Sequence, residues 1–151
     1  MIIYEDVPRY DSWLKPFLSG FIAFTLILGL VFLLFSDELA ILMFVITIID
    51  GVIFWAIIPR SFQIYRDKMR IQLGGPFSMN IPLSKIDKAR PGSPGDVWAY
   101  WGIRFATSTR NVVEILRNKG MNVIITPEDA DEFINQLNLA VEMQFNPAPA
   151  E

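Results

Sequence analysis

The chain has 151 residues, 52% of them apolar, with 13 Lys and Arg against 16 Asp and Glu. That leaves room for one small domain beside a membrane-embedded part, and a net charge of −3 argues against general nucleic-acid binding. It contains no cysteine and no histidine, so a disulfide framework, a thiolate nucleophile, the commonest general base and the commonest transition-metal ligand are all excluded. The expectation is a non-enzymatic protein without a cofactor or metal.

Residues 1–15 read as a short polar leader on the cytoplasmic side, with Tyr4, Tyr10 and Trp13 suited to an interface. Two apolar stretches follow, Pro16 to Phe35 and Leu39 to Ile58, separated by Ser36-Asp37-Glu38. Each is about 20 residues, which as helix matches a hydrocarbon layer of roughly 30 Å. The expectation for residues 16–58 is a transmembrane helical hairpin. A cleaved signal peptide is not expected, because the leader mixes Glu5, Asp6 and Asp11 with Arg9 and Lys15, and the first apolar run is too long for one. Lys and Arg flank the hairpin at Arg9, Lys15, Arg60, Arg66, Lys68 and Arg70 and are absent from its turn. The positive-inside rule then puts both termini in the cytoplasm of a multi-pass cell-membrane protein.

Asp50 is the one charge inside the second stretch. An ionised carboxylate at mid-span costs on the order of 2.5–3.5 kcal/mol on insertion scales, so the group is expected to be neutral or turned from lipid. In a hairpin, residues at equal depth have indices summing to about 74, which sets Thr25 level with Asp50, and Thr47 lies on the Asp50 face. The first expectation is an interhelical hydrogen bond from Thr25 to Asp50; an oligomer contact and an ion-handling role are the alternatives.

After Pro59-Arg60 the texture changes to short segments. Ser61 to Arg66 and Met69 to Leu73 have a β-type mixture around an Asp67-Lys68 turn, and Phe77, Met79, Ile81 and Leu83 alternate along one strand face. Ser84 to Ala89 reads as a helical turn or bend, and Pro91-Gly92-Ser93-Pro94-Gly95 as an exposed loop. Val97 to Ala106 reads as a strand interrupted at Gly102. Val112 to Leu116 and Asn122 to Ile125 form a hairpin about Asn118-Lys119-Gly120. Thr126, Pro127 and Asp129 spell the start of a helix whose apolar face is Ala130, Phe133, Ile134, Leu137, Ala140 and Val141. Residues 146–151 read as a disordered tail.

Short strands closed by one amphipathic helix, together with Phe62-Gln63-Ile64-Tyr65, Ile81-Pro82-Leu83-Ser84-Lys85-Ile86, Gly102-Ile103-Arg104 and Val123-Ile124-Ile125-Thr126-Pro127-Glu128-Asp129, resemble small bacterial membrane proteins in which a two-helix hairpin precedes a pleckstrin-homology-like (PH-like) domain. The resemblance implies an α+β fold over residues 60–145, a small antiparallel β-barrel or sandwich capped by the C-terminal helix, on the cytoplasmic side. It carries no catalytic signature.

Two surfaces of that domain stand out. Trp98, Tyr100 and Trp101 form its densest aromatic cluster, read either as core with one surface ring or as a partner or interface patch. Arg60, Arg66, Lys68 and Arg70 form a basic stripe after the second span, read as orientation signal or as anionic-lipid contact. Residues 60–119 hold eleven bases against four acids, whereas residues 120–151 hold six acids and no base. The expectation is a basic face toward the bilayer and an acidic helix turned away from it. Expected partners are the lipid bilayer and a second copy or another membrane protein, through a docking or self-assembly module; the alternative is a peripheral anionic-lipid-binding module.

Overall fold

The computed structural model describes residues 1–145 and divides into two compact units, residues 11–57 and residues 1–10 with 58 onward. The tail read at residues 146–151 lies outside the described residues.

The first unit is a helical hairpin of α1 (Leu14–Phe32) and α2 (Asp37–Ile57). Both helices are long and apolar enough to cross a bilayer, and their most apolar windows are only 11% and 6% buried, whereas a core helix of a soluble protein is mostly buried. The turn falls earlier than Ser36-Asp37-Glu38. Ser36 caps α2, its hydroxyl accepting from Leu39 N, and Asp37 and Glu38 occupy the first helical turn, where the helix dipole favours negative charge. Phe21 meets Phe54 edge to face, and Gly29 sits where an added Cβ would lie 2.8 Å from the Phe44 ring, so only glycine lets these helices approach at that level.

The second unit holds eight strands and one long helix among the described residues. Sheet one has the order β1 (Ile2–Asp6), β2 (Ser61–Tyr65), β3 (Lys68–Gln72), β4 (Ser78–Pro82), all antiparallel. Sheet two has the order β5 (Ile86–Pro91), β7 (Val113–Arg117), β8 (Val123–Ile125), β6 (Ile103–Phe105), with β6 parallel to β8. Helix α3 (Ala130–Phe145) closes the unit. The sheets remain open and do not join into a barrel, which leaves the sandwich as the form taken. Phe62, Ile64, Met69, Ile71 and Ile81 from sheet one and Ile86, Val113, Ile115, Val123 and Ile125 from sheet two bury completely in one core with Phe133 and Leu137 of α3. Phe133 meets the rings of both Tyr4 and Phe62 edge to face.

The leader reading of residues 1–15 is corrected here. Ile2–Asp6 is the edge strand of sheet one, so the helical hairpin is inserted between the first two strands of the domain. The segment after β1 is sewn down as well. Arg9 N donates to Thr126 O, Glu128 N to Val7 O, Asp129 N to Asp6 Oδ2, Thr107 Oγ1 to Arg9 O, and the Tyr10 hydroxyl to Pro59 O. Five residues that mix Ile, Tyr, Glu and Asp carry too little periodicity to announce a strand when the partner lies 55 residues away.

Three further boundaries differ from expectation. Ser84–Ala89 is mostly strand β5, where a register shift between Ile86 and Lys88 spaces the buried residues Ile86 and Ala89 by three and hides the alternation. Asn138 of α3 fixes this strand, its side chain accepting from Ala89 N at 2.7 Å and donating to Ala89 O at 3.0 Å. Only Ile103–Phe105 of the Val97–Ala106 segment is strand. The cap of α3 is Asp129, whose Oδ1 accepts from Glu132 N; Thr126 Oγ1 instead accepts from Thr107 N, and Pro127 forms a β-bridge with Pro8.

Candidate functional site

The outer face of sheet two is covered. In register, Arg90, Glu114, Ile124 and Arg104 form one row across β5, β7, β8 and β6. Over that row runs the loop of residues 92–102, which leaves Ile124 with no exposure and Glu114 with 6%. Pro94–Val97 forms a three-ten turn capped reciprocally by Ser93 and Asp96, so the proline- and glycine-rich segment starts the roof in a defined shape. Arg104 then donates to the carbonyls of Val97 and Trp98, at 3.2 and 2.8 Å. Gly102 closes the span, since an added Cβ would sit 2.5 Å from the Tyr100 ring and 2.7 Å from Asn122 O.

The pin of this roof is a buried carboxylate. Tyr100 donates its hydroxyl to Glu114 Oε1 at 2.6 Å, and Arg90 Nε donates to Glu114 Oε2 at 2.7 Å. Burial acts to raise the Glu114 pKa, but hydrogen bonds from Tyr100 and Arg90 and the Arg90 charge outweigh it and hold the carboxyl below its ordinary value. Burial, followed by the hydrogen bond to that carboxylate, pushes the Tyr100 phenol up to about 12. Each group is thereby stabilised in the state that makes the bond, an ionised acceptor and a neutral donor.

The aromatic trio therefore does not alternate across a strand as expected. Tyr100 turns inward to Glu114, while Trp98 and Trp101 extend outward, 64% and 96% exposed. Glu114, Arg90 and Arg104 were not singled out from sequence. The available signal was a lone acid within Val112-Val113-Glu114-Ile115-Leu116, a run otherwise fit for a strand buried on both faces.

The basic stripe is dispersed. Arg60 precedes β2 and Arg66 follows it, so they stand at opposite ends of a five-residue strand, roughly 17 Å long. Lys68 lies over the Tyr65 ring at 5.6 Å, and Arg70 sits in mid-sheet, opposite Gln63 and Asn80. Asp6, Glu128, Asp129 and Glu132 cluster at the end of the domain where residues 10 and 58 leave it, because β1 and the start of α3 are bonded together there. Burial and then the charges of Asp6, Asp129 and Glu132 raise the pKa of Tyr4. The acids at the start of α3 thus lie at that end of the domain, with Glu142 near the other end of the helix.

In the helical hairpin, Thr47 Oγ1 lies 3.1 Å from Thr25 Oγ1 and 2.8 Å from Met43 O, while Thr25 donates to Ile22 O. Thr25 and Thr47 are brought together; Asp50 is not joined to either, and its shielded Oδ2 takes no hydrogen bond. The expected Thr25–Asp50 bond fails because the Thr25 hydroxyl already donates along its own helix and faces Thr47. Among the described residues, no group of acidic side chains is arranged to hold a metal ion.

A family model described as "Bacterial PH domain" matches residues 61–140, more than half of the chain. The chain belongs to the bacterial PH domain family. The match begins at β2 and runs into α3, so it takes in sheet two with its roof and leaves β1 outside. No curated protein and no solved structure matches the chain. Two long apolar helices, candidate membrane spans, precede the matched PH-like region.

Proposed function

We propose that this chain is a non-enzymatic integral membrane protein whose PH-like domain is a docking or self-assembly module at the cytoplasmic surface. The observation that carries the reading is the roof of sheet two, where a loop fastened by a buried carboxylate holds Trp98 and Trp101 out in water. Such fixed aromatic rings supply large contact area with little ordering cost on binding. The topology has a second support. Strand β1 precedes the helical hairpin and pairs with β2 after it, so both ends of the hairpin emerge on one side of any membrane it crosses. The basic residues flanking it support the cytoplasm as that side.

Crosslinking of the full-length protein in intact membranes tests the module. Trp98→Ala combined with Trp101→Ala is expected to abolish a protein adduct formed by the wild type, with residues 61–117 still protected from hydrogen exchange. An adduct pattern unchanged by the double substitution overturns the reading. Anionic-lipid binding by Arg60, Arg66, Lys68 and Arg70 is the alternative; Lys68 and Arg70 share the outer face of β3, but Arg60 and Arg66 stand at opposite ends of β2.

A further inference from the structure

The second unit is polar in the electrostatic sense. Its root, where residues 10 and 58 leave it, carries Asp6, Glu128, Asp129 and Glu132. Its opposite end, the tip, is built from three adjacent turns. The β2–β3 turn contacts the start of the next segment through Leu83 N bonded to Asp67 O. Lys85 O accepts from Asn118 N, joining that segment to the β7–β8 turn. Asn122 O accepts from Ile103 N, which brings Trp101 and Gly102 alongside. These contacts bring Lys85, Arg117 and Lys119 to the same end of the unit as Trp101 and Met121, 96% and 59% exposed, with Arg66 farther along in the β2–β3 turn and Arg117 donating to Met121 O at 3.1 Å. Asp67, Asp87 and, on the last turns of α3, Glu142 are the acids toward this end, against the four cations.

We propose that this tip is a docking site for an acidic segment of another protein, with Trp101 and Met121 as its apolar seat and Arg66, Lys85, Arg117 and Lys119 as the flanking cations. The proposal rests on the docking reading above and gives the partner its chemistry. Charge complementarity selects a carboxylate-rich segment, and the indole and thioether call for an apolar anchor within it. The tip lies at the other end of its unit from residues 10 and 58, and bilayer lipid is an alternative occupant that the test distinguishes.

The test uses the full chain in intact membranes with the photo-crosslinking residue p-benzoylphenylalanine placed at Trp101, at Met121, or at Trp98 for comparison. Illumination at the two tip positions is expected to give a protein adduct whose crosslinked peptide, mapped by mass spectrometry, carries several Asp or Glu around an apolar side chain. Lys85→Glu with Lys119→Glu is expected to lower its yield about tenfold, the scale of a few lost rim charge pairs, while Lys85→Arg with Lys119→Arg leaves it unchanged. An adduct with lipid, with a second copy or with a peptide lacking acids overturns the proposal, as does no adduct at the tip. If Trp98 captures a protein while the tip does not, the docking reading stands and the tip assignment falls; if no position captures one, both fall.

Discussion

The two sheets of the PH-like domain have four strands each and share one core, yet they finish their outer faces in opposite ways. Sheet one leaves its outer face partly open, with Gln63, Tyr65, Lys68 and Arg70 half-buried and Asn80 exposed. Glu5, Gln63, Arg70 and Asn80 are opposite one another in register, and Gln63 links Glu5 to Tyr65 by hydrogen bonds of 2.8 and 3.0 Å. Sheet two covers its outer face with a loop, burying Glu114 and Ile124 beneath Tyr100. An open face tolerates change and offers nothing fixed, whereas a roofed face has a buried ionic pin and can hold exposed rings in place. The contrast is what supports proposing the roof, and not the first sheet, as a binding surface.

The largest expected effect tests what the sheets share. Phe133→Ala removes the ring that touches both Tyr4 and Phe62 from a core lined by both sheets and is expected to destabilise the domain by about 3–5 kcal/mol. Hydrogen exchange should then rise in β2–β3 and in β7–β8 together. Loss of protection in one sheet alone would show two separable cores.

Next is the pin itself. Glu114→Ala leaves the Tyr100 hydroxyl without its acceptor and opens space beneath the roof, at an expected cost of about 1–3 kcal/mol. Exchange should increase in residues 92–102 and β7, with sheet one still protected. Equal loss in both sheets would mean that the roof is not an independent layer. Conversely, an unchanged roof would assign its order to Ser93, Asp96 and Arg104 alone.

The contrast also explains what the sequence could disclose. Sheet one was legible because Phe62, Ile64, Met69 and Ile71 alternate with polar residues, the signature of a strand wet on one side. Helix α3 was legible from its apolar face, and the helical hairpin from length and hydropathy. Sheet two lost its alternation to its roof: Val112 through Ile115 are all buried, and Trp98-Ala-Tyr-Trp imitates a strand while forming a loop. Of the candidate site, the exposed tryptophans were visible as residue types. Their support was not, because Glu114 and Tyr100 meet only through a register between distant segments. Strand β1 was hidden for the same reason, its partner lying beyond the helical hairpin of residues 11–57.

Smaller effects come from titrating the pin. Glu114 is held below its ordinary pKa, so the folded state binds fewer protons than the unfolded one there. Its contribution is present above the ordinary carboxylate range and is lost as pH falls through the depressed value. Tyr100 runs the other way. Its phenol is raised to about 12, so its contribution is full below the ordinary tyrosine range and fades as pH climbs toward that value. Roof exchange, corrected for intrinsic rate, should therefore be flat through neutral pH and rise at both extremes. Tyr100→Phe should cost about 1 kcal/mol, remove the alkaline limb and, by withdrawing a hydrogen bond from Glu114, weaken the acid limb. An alkaline limb that survives this substitution would place the titrating group elsewhere.

The smallest expected effect is also the sharpest on the comparison. Gln63→Ala removes the residue that bridges Glu5 and Tyr65 on the open face of sheet one, and because water replaces both hydrogen bonds the stability change should lie within about 0.5 kcal/mol. Denaturant midpoints for Gln63→Ala and Tyr100→Phe, measured side by side on the full chain, set one exposed polar link against one buried one. If Gln63→Ala proves the costlier of the two, the outer face of sheet one is covered in the working protein, and the search for a partner should move from the roof to that face.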